Sequence, residues 1–103
     1  MEVEYAKDLG NGHRIEIGRS TWDETERSIR DRWPTSTGGF NPRSSSEVPM
    51  PSLLPMILFA AQHDELSVAE CAEMISHLAT SIMRHNKASR TAPPLSDGTR
   101  PSR

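Results

Sequence analysis

Four histidines, His13, His63, His77 and His85, and one cysteine, Cys71, are the side chains of this chain best suited to holding a metal ion. A closed zinc site needs four such ligands at short, recurring spacing. These five show none, and Cys71 and His77, six residues apart, point to different sides of a helix. Cys71 falls on an apolar helical stripe, where a thiol is a small packing residue and its thiolate is not favoured. The carboxylates mostly accompany arginines at helical spacing, the pattern of a solvated salt-bridged face. Gly10-Asn11-Gly12 and Gly38-Gly39 lack the strand and helix that a phosphate-cradling loop requires. No catalytic residue, metal site or cofactor is therefore assigned, and the chain is read as a non-enzyme.

The residue types that anchor interfaces are better represented. Trp33, Phe40 and Arg43 lie in or beside a loop-like stretch, and Met56 and Phe59 lie in the most apolar run of the chain. These five are the candidate partner-binding residues. The alternative is a nucleic-acid-binding regulator that uses Arg84, Lys87 and Arg90. Residues 1–83 carry seven Lys/Arg against thirteen Asp/Glu, a balance of −6, whereas residues 84–103 carry five against one, a balance of +4. An acidic body repels phosphate backbones, so the tail alone has the sign to attract one. Leu66–Glu73 is similar to the first helix of helix-turn-helix regulators, a pattern that next demands a short turn and a basic second helix. Here the apolar spacing runs on through Ile75, Leu78 and Ile82, so no family is assigned.

These residues must be positioned by a few elements. Val3, Tyr5 and Leu9, then Ile15 and Ile17, alternate with polar residues around Gly10-Asn11-Gly12, which predicts a β-hairpin over residues 2–18. A three-residue loop sets Tyr5 opposite Ile17 and Lys7 opposite Ile15, keeping the apolar side chains on one face, with Gly12 left-handed. Ser20 or Thr21 followed by Glu24 fits a helix start, and Asp23, Glu24 and Glu26 precede Arg27, Arg30 and Arg32 as a helix dipole favours. One amphipathic helix is expected there, with a thin stripe of Trp22, Ile29 and Trp33, stopped by Pro34. Residues 34–51 read as a long connector.

Two further helices are expected, over residues 52–62 and 68–85. The first contains the run Leu53–Ala61, which is apolar on every side, with Pro55 confined to its first turn. In the second, Ser67 and Glu70 form a capping box, Leu66 and Cys71 occupy staple positions, and Val68, Cys71, Ala72, Ile75, Leu78, Ala79 and Ile82 form one stripe. Joined by a short turn, the two make an antiparallel helical hairpin.

Hydrophobic content is 34%, below the roughly 45–50% usual for globular domains. The expected fold is thus α+β: an N-terminal β-hairpin, one amphipathic helix, a long connector and a C-terminal antiparallel helical hairpin in a single small domain over residues 1–87. Residues 88–103 form a disordered basic tail. The apolar run of about ten residues is half the roughly 20 needed to span a bilayer. With no basic-then-apolar leader and one cysteine, the expected location is cytoplasmic. A run with no polar side must be covered, and a thin hairpin and a narrow-striped helix cover too little of it. The expectation is a protein-interaction module, adaptor, regulator or inhibitor, that acts by occupying a surface and forms a homodimer.

Overall fold

The fold is described from a computed structural model, in which residues 1–91 are placed, with side chains through residue 88. It is α+β. Four strands, β1 (Glu2–Gly10), β2 (His13–Arg19), β3 (Arg27–Arg32) and β4 (Ser46–Pro49), precede two helices, α1 (Met50–Gln62) and α2 (Val68–Thr91). The strands form one antiparallel sheet in the order β1-β2-β3-β4. The chain divides into two compact units, Met1–His63 and one that begins at Asp64. The helical hairpin expected of α1 and α2 would straddle both, since α1 lies in the first unit and α2 in the second.

In the hairpin, Tyr5 pairs with Ile17 and Lys7 with Ile15, but the turn has two residues rather than three: Gly10 pairs with His13 across Asn11-Gly12. Asn11 and Gly12 both take positive φ, 55° and 81°, as a type I′ turn requires. An irregularity between Asp8 and Gly10 supplies the extra residue that resets the parity. Gly18 has no room for a side chain, since a Cβ there would stand 1.9 Å from the Glu2 carbonyl oxygen.

The helix expected after Ser20 is absent. Ser20 N–H donates to the Glu26 carbonyl at 2.9 Å, and Asp23 Oδ1 accepts from Thr25 N–H and Oγ1–H, closing residues 20–26 into a loop. Asp and Thr offer the backbone such local bonds in competition with a helix. Thr21, expected as a helix cap, instead donates from its N–H and its hydroxyl to Glu47. Residues 27–32 then pair as β3 with β2, matching Ile29 to Ile17 and Arg30 to Glu16. A three-residue helical stripe yields here to a period-2 pattern that finds partners on both sides.

The connector expected over 34–51 is also corrected. Pro34 bridges Phe40 around a turn in which Thr35 N–H donates to the Gly39 carbonyl at 2.7 Å. Residues 46–49 form β4, which sets Val48 opposite Ile29. As an edge strand, β4 tolerates Pro49. Helix α1 begins at Met50, two residues earlier than expected, so Pro55 lies beyond the first turn and has no N–H to donate to the Pro51 carbonyl.

Helix α1 packs on β3 and β4, half-burying Leu53, Ile57 and Ala60. Its other side is open: Leu54 is 61% and Phe59 64% exposed, with Met56 and Leu58 similar. Within the Met1–His63 unit the apolar run is therefore not enclosed. In the second unit, Ser67 N–H donates to Glu70 Oε1 and Glu70 N–H to Ser67 Oγ, completing the capping box. Cys71, expected to be buried, is half-buried beside Leu66, whose carbonyl faces its thiol. Helix α2 runs past residue 85 and past Ala88, where the tail was expected to begin. The rest of that tail, residues 92–103, lies outside the described residues.

Among the described residues no hydrophobic side chain is buried; the buried polar residues are Glu16, Ser20 and Ser28. Cross-strand pairing explains the inversion. One sheet face carries Arg14, Glu16, Ser28, Arg30, Arg32 and Glu47, and the other carries Tyr5, Ile15, Ile17, Ile29 and Val48. The polar face is the more enclosed one. The isoleucines of the apolar face are only half-buried, and Tyr5 is exposed.

Candidate functional site

Glu16 sits in the middle of β2, an interior strand, and is 1% exposed. A carboxylate so enclosed needs compensating charge. Arg30, directly opposite on β3, donates from Nε and Nη2 to Oε1 at 2.9 and 2.7 Å. Arg14, two residues back along β2, donates from Nη2 to Oε2 at 2.9 Å. Arg32 brings Nη1 to 3.9 Å from the same oxygen. Three guanidinium groups thus share one carboxylate.

Phe40 closes this cluster. Its ring lies 4.7 Å from the Arg30 guanidinium carbon and 5.5 Å from that of Arg32. The Pro34–Phe40 bridge holds the ring there, and cation–π attraction favours the stacking. Glu47, opposite Arg30 on β4, is engaged elsewhere, accepting from Ser28 Oγ at 2.7 Å and from Thr21. Burial pushes the Glu47 carboxyl upward, but these hydrogen bonds outweigh it and leave it below the ordinary glutamate value.

The opposite face carries a second constellation at the same end of the sheet. His13 and Trp33 stack with ring centres 3.7 Å apart and planes 12° from parallel. The His13 Nε2 contacts Asp31 Oδ1, and Trp33 Nε1 donates to Asp31 Oδ2 at 2.9 Å. The bond to His13, then the one to Trp33, holds the Asp31 carboxyl below the ordinary aspartate value. This is an ordered carboxylate–imidazole pair with an indole lid.

The sequence-derived candidates are thereby sorted. Trp33 and Phe40 both lie at this end of the sheet, each partly exposed and each stacked on a charged or titratable group. Arg43 is exposed in the 41–45 loop, its N–H donating to Asn41 Oδ1. Met56 and Phe59 lie on the exposed side of α1, with Phe59 edge-on to His63 at 4.6 Å. Arg84 and Lys87 belong to α2 in the other unit, and Arg90 shares that helix. The sheet cluster of Arg14, Glu16, Arg30 and Arg32 was missed, although Arg-x-Glu and Arg-x-Arg at period 2 are a strand signal. Leu66, just before α2, and Met74 and Leu78 on it line a shallow groove edged by Glu70, Glu73 and His77.

No group of three or more His, Cys, Asp or Glu side chains among the described residues is placed to hold a metal ion. None of the described helices is long and apolar enough to cross a membrane. Fold and site together define a small α+β protein with an arginine-rich sheet face. Comparison with protein-family models, curated proteins and solved structures finds no match to this chain.

Proposed function

We propose that this protein is a non-enzymatic interaction module that associates with a second copy of itself and acts by occupying a surface, as an adaptor, regulator or inhibitor does. The observation that carries this reading is the inverted burial: exposed apolar helix and sheet surfaces beside an enclosed polar cluster. Leu53–Ala61 contains no charged or hydrogen-bonding side chain, so the surface that suits it is another apolar one, which the chain itself presents. Leu54, Met56, Leu58 and Phe59 are each about half exposed. At roughly 1.5–3 kcal/mol for full burial of such a side chain, the eight in a two-fold pair supply on the order of 6–12 kcal/mol. That is comparable to the roughly 4–15 kcal/mol association must overcome. The half-buried isoleucines of the sheet and the exposed Ile75, Leu78 and Ile82 of α2 add to the apolar surface available.

The test is solution mass by light scattering on the full chain, whose protomer is 11.5 kDa. A dimer is expected for the wild type and a monomer for Phe59→Asp, with the circular dichroism of the sheet retained. A wild-type protein that stays at the protomer mass at high micromolar concentration overturns the reading.

A further inference from the structure

We infer that the polar sheet face binds a single oxyanion, a carboxylate or a phosphate, between Arg14 and Arg32 beside Phe40. Arg14 and Arg32 are directly opposite one another on β2 and β3. Like charges in that position repel, and a sheet keeps such a pair without penalty only when an anion sits between them. Glu16 supplies part of that anion, but it is already bound by both forks of the cluster: Oε1 takes Arg30 twice and Oε2 takes Arg14. Arg32 is left as the third claimant, at 3.9 Å, and its guanidinium donates no hydrogen bond among the described residues. Its guanidinium carbon lies over the Phe40 ring, 5.5 Å from the centre, and its side chain is 24% exposed, while that of Arg14 is 39% exposed. A positioned, partly desolvated guanidinium with unused donors suits the planar, two-pronged geometry of a carboxylate or phosphate.

The flanks set the size of the ligand. Asp8 stands opposite Arg14 on β1 and Glu47 opposite Arg30 on β4. Their oxygens serve Gly10 N–H, Thr21 and Ser28, and neither forms an ion pair with the arginines. They fence the cluster with negative charge on both sides. One small anion fits between them, whereas a polyanion laid across the strands meets repulsion. This surface is separate from the exposed side of α1, so it goes beyond the self-association proposed above.

The experiment is a titration of the full chain with inorganic phosphate and, separately, with acetate at low ionic strength, followed through the backbone amides of Arg14, Arg32 and Phe40. Saturable shifts confined to this end of the sheet are expected, about tenfold weaker in Arg32→Gln and unchanged in Arg19→Gln, an exposed arginine at the far end of β2. The relative affinities of the two ions identify the ligand source. Linear, unsaturated shifts, or equal affinity in Arg32→Gln, overturn the inference. So does tighter binding of a duplex oligonucleotide through the same amides. Should Arg32→Gln not fold, Phe40→Leu, which removes the stacking ring, is expected to weaken binding likewise. Mass measured in the same samples keeps the two proposals apart, since either can fail while the other stands.

Discussion

Glu16 shows how a single enclosed carboxylate organises its neighbours. Removing one member of a buried ion pair typically costs about 3–5 kcal/mol, because the remaining charge stays desolvated. Here Arg14 and Arg32 reach solvent, so Glu16→Gln is expected to cost about 2–3 kcal/mol, read as a lowered midpoint in urea unfolding. Asp31 and Glu47 are two carboxyls whose protonation destabilises the fold in acid. Their folded pKa values are depressed by hydrogen bonds from His13 and Trp33 in one case and from Ser28 and Thr21 in the other. A depressed carboxyl contributes stability that is complete above its unfolded pKa, about 4, and lost as pH falls through the lower folded value. Wild type and Glu47→Gln should therefore differ in stability at neutral pH and converge as the solution is acidified. Trp33 and Phe40 could be picked out from residue type alone. What they stack on, His13 and the arginine pair, could not, because His13 is far from Trp33 in sequence and Arg30 and Arg32 lie on an unrecognised strand.

Among the elements, β1 depends on the absence of a side chain at Gly18. With Ala there, a Cβ would stand 1.9 Å from the Glu2 carbonyl, so Gly18→Ala is expected to detach the start of β1. Faster hydrogen exchange at the amides of residues 2–5, with β2–β3 protection retained, is the measurement. Ser67→Ala removes the reciprocal cap of α2 and is expected to cost about 1 kcal/mol of helix stability, seen as fraying at residues 68–71. Both helices and the hairpin were legible because their signals are local: alternation around Gly10-Asn11-Gly12, the capping box, and apolar residues at three- and four-residue spacing. Strands β3 and β4 were not. Residues 21–33 carry acids before bases and thus satisfy a helix by charge order. What decides for a strand is non-local: Glu16 needs Arg30, and Ile29 needs Val48.

For the whole molecule, no hydrophobic side chain is buried among the described residues, and the proposed self-association would tie stability to concentration. A protein completed by a second copy melts at a temperature that rises with its own concentration. Thermal unfolding over a hundredfold dilution is expected to show that dependence in the wild type and to lose it in Phe59→Asp. A constant melting temperature in the wild type would place the stabilising contacts within one chain. The inversion was half legible: the apolar run of α1 announced a surface in need of cover, but its exposure emerges only once β3 and β4 take the place of a helix and a connector.

The enclosed carboxylate of β2 also acts as an alignment key. Slide β3 by one residue along β2 and every β3 side chain changes sides: Ile29 or Asp31 lands against Glu16, and the guanidinium groups of Arg30 and Arg32 swing to the far face. An aliphatic shift error would merely lose some contact, whereas this one leaves an enclosed carboxylate with Arg14 as its one remaining cation of the three. Misaligned sheets are thereby rejected by electrostatics, in a protein whose greasy residues are too sparse to do the rejecting.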